Sequence, residues 1–378
     1  MRPEVRLPMT DLDVAALTTR LLWGAFALGA AFGAIAQRTH FCTMGAVTDI
    51  VAAGDWSRMR MWALAAGTAI VGFNAMVAAG WLKAGDTIYA APSLAWASHA
   101  VGGLMFGFGM VLASGCGAKS LVRLGGGNLK SLVVLLVLGA SALATLKGAT
   151  AVLRVAGIDT LRIALPAAQD LPSLTAAAGG ALPQRALLLG LAAGGGLIAW
   201  ALMRPQGRRA EALLGGLGIG ALVVALWWLS GRAGHLAEDP RTLEEVFLAT
   251  NSRRMESFSF VAPVGYLLEW LLYFSDASLR LTEGIAALLG VVAGSAAVAL
   301  AQRSFRWEAF SGVDDTVSHL AGGVLMGVGG VTALGCTIGQ GLSGLSTLSL
   351  GSLLSLAAIL AGAVLALRWQ MWRLERSA

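Results

Sequence analysis

Long apolar runs set the folding problem of this chain. They lie at 16–36, 60–81, 129–149, 183–203, 210–230, 258–274, 281–302, 317–334 and 349–370. A helix that crosses a bilayer needs about 20 mostly apolar residues. Inside lipid the backbone must satisfy its own hydrogen bonds, which leaves helices or closed barrels. Barrel strands are short and alternate in polarity, and these runs are long and continuous. Only 13% of the 378 residues are charged, where soluble domains carry about 25%. The expected fold is an all-α polytopic membrane protein, a single integral membrane domain with about 9 transmembrane helices plus short helices. Fifty glycines fit helices that approach closely in lipid, where apolar surface alone gives no drive to associate.

The formal net charge of +6 does not point to nucleic acid, because the basic residues are spread over loops, where Lys and Arg set membrane orientation. RPQGRR (204–209) and RWQMWRLER (368–376) read as cytoplasmic ends. The polar N-terminus MRPEVRLPMTDLDV reads as lacking a cleavable signal peptide, with the first run a retained span.

An internal repeat organises the rest. WASHAVGGLMFGFGMVLASGCG (96–117) aligns without gaps to TVSHLAGGVLMGVGGVTALGCT (316–337). Between Ser98 and Cys116, ten of nineteen positions are identical at a constant offset, 336 − 116 = 220. A weaker match joins AQR at 36–38 to AQR at 301–303. The expected organisation is a first repeat over about 20–150, a central insertion over about 150–257 and a second repeat over about 280–370. If 98–124 dips into the membrane and returns, the halves are inverted; if 98–114 crosses fully, they are parallel. LRVAGIDTLRIALPAAQDLPSL reads as an amphipathic helix on the membrane surface, and the charged stretch from Gly231 to Ser257 as an extramembrane loop.

The repeat ends on chemistry. Cys116 and Cys336 each follow a glycine (Gly115, Gly335) and open a more polar segment, GAKSLVRL or TIGQGLSGLS. The expected geometry is a long helix, a break at the cysteine, then a half-helix beginning near the membrane centre. The first N–H groups of such a half-helix lack internal partners and carry partial positive charge, which makes an anion site. Gly117, like Gly115 and Gly335, lets a ligand reach the backbone, and Thr337 and Gln340 stand in the same segment. A neutral thiol adds a weak S–H donor and a polarizable sulfur, suited to a small anion with its own terminal sulfur. The competing reading makes each cysteine a small buried hydrophobe. Cys42, in AQRTHFCTMGAVTD, is the third thiol, with Arg38 and His40 just before it.

Lys119 and Arg123 share a helical face. They either serve an anion path or snorkel to the interface, and the second repeat has Gly339 and Gln340 where the first has Lys119 and Ser120. His99 and His319 read as capping their helix starts, since 17 residues separate each from its cysteine. Trp227, Trp228 and Trp270 read as interfacial anchors. No metal-spaced cluster, nucleotide loop or nucleophile–base constellation is present in the sequence, so neither catalytic residues, a metal nor a cofactor is expected.

FCTMG (41–45), SGCGAKSLVRLGGGNLKSLVVL (114–135) and GCTIGQGLSGLSTLSLGS (335–352) resemble the motifs of the YeeE/YedE sulphur-transport family. That resemblance implies an hourglass-shaped, pseudo-symmetric helical fold in the bacterial inner membrane, surrounded by lipid. It implies uptake of thiosulfate, handled through the S–H groups of Cys42, Cys116 and Cys336, which are all the cysteines of the chain. It also implies a small soluble TusA-like sulfurtransferase as a partner. Three rival readings stand beside it: a membrane sulfurtransferase holding a persulfide, transport of another sulphur or selenium compound, and a scaffold subunit with no transport of its own.

Overall fold

The computed structural model describes residues 11–240 and 242–377; most of the N-terminal segment read as lacking a leader lies outside them. Among the described residues, eight helical segments are long and apolar enough to cross a membrane. In chain order the helices are α1 (Asp11–Thr39), α2 (Thr43–Ala53), α3 (Ser57–Ala78), α4 (Trp96–Leu112), α5 (Gly117–Gly125), α6 (Leu129–Lys147) and α7 (Ala149–Ala156). They continue with α8 (Leu171–Ala177), α9 (Leu182–Leu202), α10 (Ala210–Trp228), α11 (Ala262–Leu272), α12 (Glu283–Ala301), α13 (Val313–Thr332) and α14 (Leu350–Ser377). Two short antiparallel ribbons, Ser93–Leu94 with Ile163–Ala164 and His235–Leu236 with Val246–Phe247, are the only sheet among the described residues. The fold is therefore an all-α polytopic membrane protein.

Two of the nine expected spans change. The run at 258–274 yields only the 11-residue α11, about 16 Å of helix against a hydrocarbon core of about 30 Å. Pro263 starts that helix, and the extended residues before it enter the interior, with Phe258 and Phe260 fully buried. The run at 317–334 becomes α13, whose polar first turns keep it outside the eight apolar spans.

Helix directions follow from close glycine contacts. A Cβ at Gly102 on α4 would stand 2.7 Å from the Gly329 carbonyl oxygen, and one at Gly322 on α13 would stand 2.6 Å from that of Gly109. The pairs run in opposite order, so α4 and α13 cross antiparallel, and each repeat supplies the partner of the other's glycine. Flanking contacts are also paired: Gly107 packs on Ile359 and Ala363 of α14, and Gly327 on Leu138 and Ala142 of α6. The offset has changed, 359 − 138 = 221. One residue has been inserted after the second cysteine, and a π-helical turn at Gly339–Gly344 takes it up where the first repeat forms the regular α5. The single-residue insertion is the usual origin of a π turn.

The segment Trp96–Gly125 is long and apolar enough to cross fully, and its α4 runs antiparallel to α13 of the other repeat, while 258–274 forms only a short helix. The stretch expected to be one amphipathic surface helix is instead divided into α7, a strand and α8. Its Gln169 and Asp170 dock on the exit of the second break, where Leu350 N–H donates to the Gln169 carbonyl at 3.0 Å. His99 does not cap its helix: it is buried, with Nδ1 2.7 Å from Ser355 Oγ on α14. Trp227 is no interfacial anchor either; it is buried, and its Nε1–H donates to Ser346 Oγ at 3.0 Å.

Candidate functional site

Each cysteine occupies the same local position, the residue before the first turn of a short helix or helical turn. Cys42 precedes α2 and Cys116 precedes α5. Cys42 Sγ accepts from Gly45 N–H at 3.3 Å, and Cys336 Sγ accepts from Gly339 N–H at 3.3 Å. These are the orphan N–H groups that any helix start exposes, here presented to sulfur inside the protein. The three residues are 8%, 2% and 0% exposed in chain order.

The breaks are made the same way in both repeats. Ser114 (φ 55°) and Leu334 (φ 58°) turn through the left-handed region, and Gly335 follows at φ 155°, a conformation that side chains rarely adopt. The carbonyl freed at each break is held by a side chain from downstream. Arg123 donates to the Ser114 oxygen at 2.7 Å, and Gln340 Nε2 donates to the Ala333 oxygen. Arg123 is therefore a structural clamp of the first break. Gly115 packs against Lys119, while Gly117 sits 3.4 Å from the Phe260 carbonyl, measured from an added Cβ.

Cys42 and Cys116 line one small void with Phe32, Phe41, Lys119 and Ile338. Its volume is about 10 Å³, at the lower limit for a single water. Cys116 lies within electrostatic reach of both Cys42 and Cys336, and beside Thr337. Cys116 thus stands near both other thiols, and the space it shares with Cys42 is closed.

A vestibule opens on either side. On the face where α13 begins, a cavity of about 440 Å³ is lined by His40, Lys119, Arg123, Lys130, Arg306 and His319, among others. Lys119 belongs both to this basic vestibule and to the thiol void, so it does not snorkel away to lipid. On the face where α4 begins, a cavity of about 360 Å³ reaches Gly335, Ser259 and Tyr266. The Arg-rich 204–209 turn belongs to the basic face, because α10 starts beside Thr39 at the end of α1. The C-terminal basic residues share it, with Arg373 and Trp369 beside Asp314.

Sequence reasoning named Thr337 and Gln340 among the groups that shape this centre and missed Thr43 and Tyr89. The hydroxyls of Thr43 and Thr337 and Gln340 Oε1 are buried with no hydrogen-bond partner of normal geometry. Thr43 was discoverable, because Cys-Thr-x-Gly occurs twice, at 42–45 and 336–339. Tyr89 was not: it comes from the loop after α3, and its hydroxyl donates to the Gly339 carbonyl at 2.7 Å, bracing the π turn.

Broken helices that bring thiols and helix starts to the middle of a multi-span bundle, between two vestibules, define a membrane transport protein. The chain belongs to the sulphur transport family, whose pattern it matches over residues 38–365. It is similar to the thiosulfate transporter TsuA of Escherichia coli (strain K12), with 27% identity over 327 residues that span 83% of this chain and 84% of that protein.

Proposed function

We propose that this chain takes up thiosulfate, or a closely similar sulphur anion, across the bacterial inner membrane by passing it along Cys336, Cys116 and Cys42. The observation that carries this reading is the thiol row itself, flanked by buried hydroxyls of Thr43 and Thr337 that have no hydrogen-bond partner of normal geometry, Thr337 lying against the Cys116 thiol. An anion with a terminal sulfur and several oxygens would accept from both donor types. Gly115, Gly117 and Gly335 would keep the backbone open beside it, and the Gln340 amide would hold the second break in shape. Several weak sites in series let an ion enter and leave without being trapped.

The two halves act in this reading as inverted repeats around the thiol row, with 150–257 completing the bundle and sealing the second break. The basic face is the cytoplasmic one, since short arginine-rich turns stay inside. Lys119 draws the ion across the last step, and a TusA-like sulfurtransferase receives sulfur at that face. Uptake of labelled thiosulfate into proteoliposomes tests the proposal: Cys116→Ala and Cys336→Ala should each abolish it, and full uptake by both variants would overturn it. A lasting mass gain on either cysteine after exposure to thiosulfate would favour a persulfide-forming enzyme instead.

A further inference from the structure

The vestibule opposite the basic face contains acid chemistry that the thiol path does not use. Glu283, the first residue of α12, is 1% exposed, and neither carboxyl oxygen has a hydrogen-bond partner of normal geometry. Glu256 lines the same vestibule as Gly335 and Tyr266. Its carboxylate accepts from Ser252 N–H at 3.0 Å and from the Ser252 hydroxyl at 2.5 Å. Buried Ser230 links the two acids: its Oγ accepts from Glu256 N–H at 3.1 Å and lies beside the Glu283 carboxyl.

The surrounding charges do not neutralise this pair. Arg254 lines the cavity, but its guanidinium is turned onto the carbonyls of Gly85 and Thr87, at 3.5 and 3.4 Å. Tyr266 from α11 and Tyr89 from the loop after α3 are within reach of Glu256 and bring neutral phenols. In the adjoining crevice Lys147 is paired with Glu269 at 2.8 Å and Arg253 reaches towards Glu244 at 3.9 Å, with Arg280 and Asp239 further along it. Among the described residues, Glu256 is the ionisable group whose charge acts on Glu283. A carboxylate buried without a cation is costly, and two within each other's field do not both ionise cheaply. Desolvation moves the Glu256 carboxyl above the ordinary carboxylate range.

An ionised Glu256 in the vestibule that Gly335 also lines, backed by a second ionised carboxylate at Glu283 behind Ser230, would repel an approaching anion, whereas a protonated pair would admit it. We propose that Glu283 and Glu256 form a proton-binding pair at the mouth of the thiol path, and that protons and the sulphur anion bind this vestibule together. This rests on the function proposed above. By linkage, an anion that binds better to the protonated pair must also tighten proton binding by the same factor. The carboxylates take their protons from water at that face, and no bond of the anion is broken.

The test uses the full chain. Thiosulfate binding followed calorimetrically in buffers of different ionisation enthalpy should show net proton uptake, and the KM for uptake should rise severalfold with each step to more alkaline external pH. Glu283→Gln should lose both the proton uptake and the pH dependence while keeping its exchange activity at acidic pH. Infrared difference spectra of anion-free protein should show a protonated carboxyl band that Glu283→Gln removes. Absence of that band, a pH-independent wild type, or an unchanged Glu283→Gln profile would overturn the pair. A requirement for sodium with no proton uptake would overturn it too. Protein that binds no thiosulfate yet shows the carboxyl band would count against the proposed function and leave the proton site standing.

Discussion

Ser114 and Leu334 lie 220 residues apart and take the same left-handed backbone, φ 55° and 58°, two residues before their cysteines. Neither is glycine, so each break holds its turn against the local preference of the chain. A left-handed conformation costs a non-glycine residue about 1–2 kcal/mol, and Leu334 offsets little of this by burial, since it is 49% exposed. Leu334→Gly should therefore leave stability unchanged or raise it by about 1 kcal/mol. Leu334→Val, β-branched at a positive φ, should lower it by about 1–2 kcal/mol. Thermal unfolding in detergent reads both.

Thr337→Val separates a structural from a ligand-binding hydroxyl. The hydroxyl is buried with no hydrogen-bond partner of normal geometry and faces the Cys116 thiol, so an isosteric apolar replacement removes at most a weak bond to sulfur. Stability should hold or improve by up to about 1 kcal/mol, while thiosulfate uptake falls. A loss of stability with normal uptake would mark the hydroxyl as structural. Thr43→Val should behave in the same way.

Ile338 is 2% exposed and forms a wall of the closed void between Cys42 and Cys116. Ile338→Ala should cost about 2–5 kcal/mol of stability through the cavity it leaves. It should also ease passage at the shut point, so that reconstituted protein loses discrimination between thiosulfate and sulfate. Paired uptake assays with the two anions measure this.

The two cations of α5 should separate by phenotype. Arg123→Ala frees the Ser114 carbonyl from its 2.7 Å bond and should destabilise the protein by about 1–3 kcal/mol. Lys119→Ala leaves the break intact and should raise the KM for thiosulfate, with weakened dependence on ionic strength. The same loss of stability in both variants would remove the distinction.

Much of this arrangement was legible in the chain. The Ser-His to Gly-Cys repeat located both breaks and their shared geometry, and Cys42 and Cys116 line one void. The slip from 220 to 221 was not visible, because GAKSLVRL and TIGQGLSGLS have diverged where the π turn absorbs it. Hydropathy over-read 258–274, since it cannot distinguish a half-helix led by a buried extended segment from a full span. His99 and Trp227 look like interface residues by position along a run, yet contacts from other helices bury them. Such contacts are tertiary, and no local pattern encodes them.

The two clamps differ in kind: Arg123 brings a full positive charge to the first break, and Gln340 only a neutral amide to the second. An ion moving through the row would therefore meet unequal electrostatic landscapes at two geometrically matched elbows. Duplication supplied a symmetric frame, and one divergent pair of side chains makes its two elbows electrostatically unequal in the resting protein.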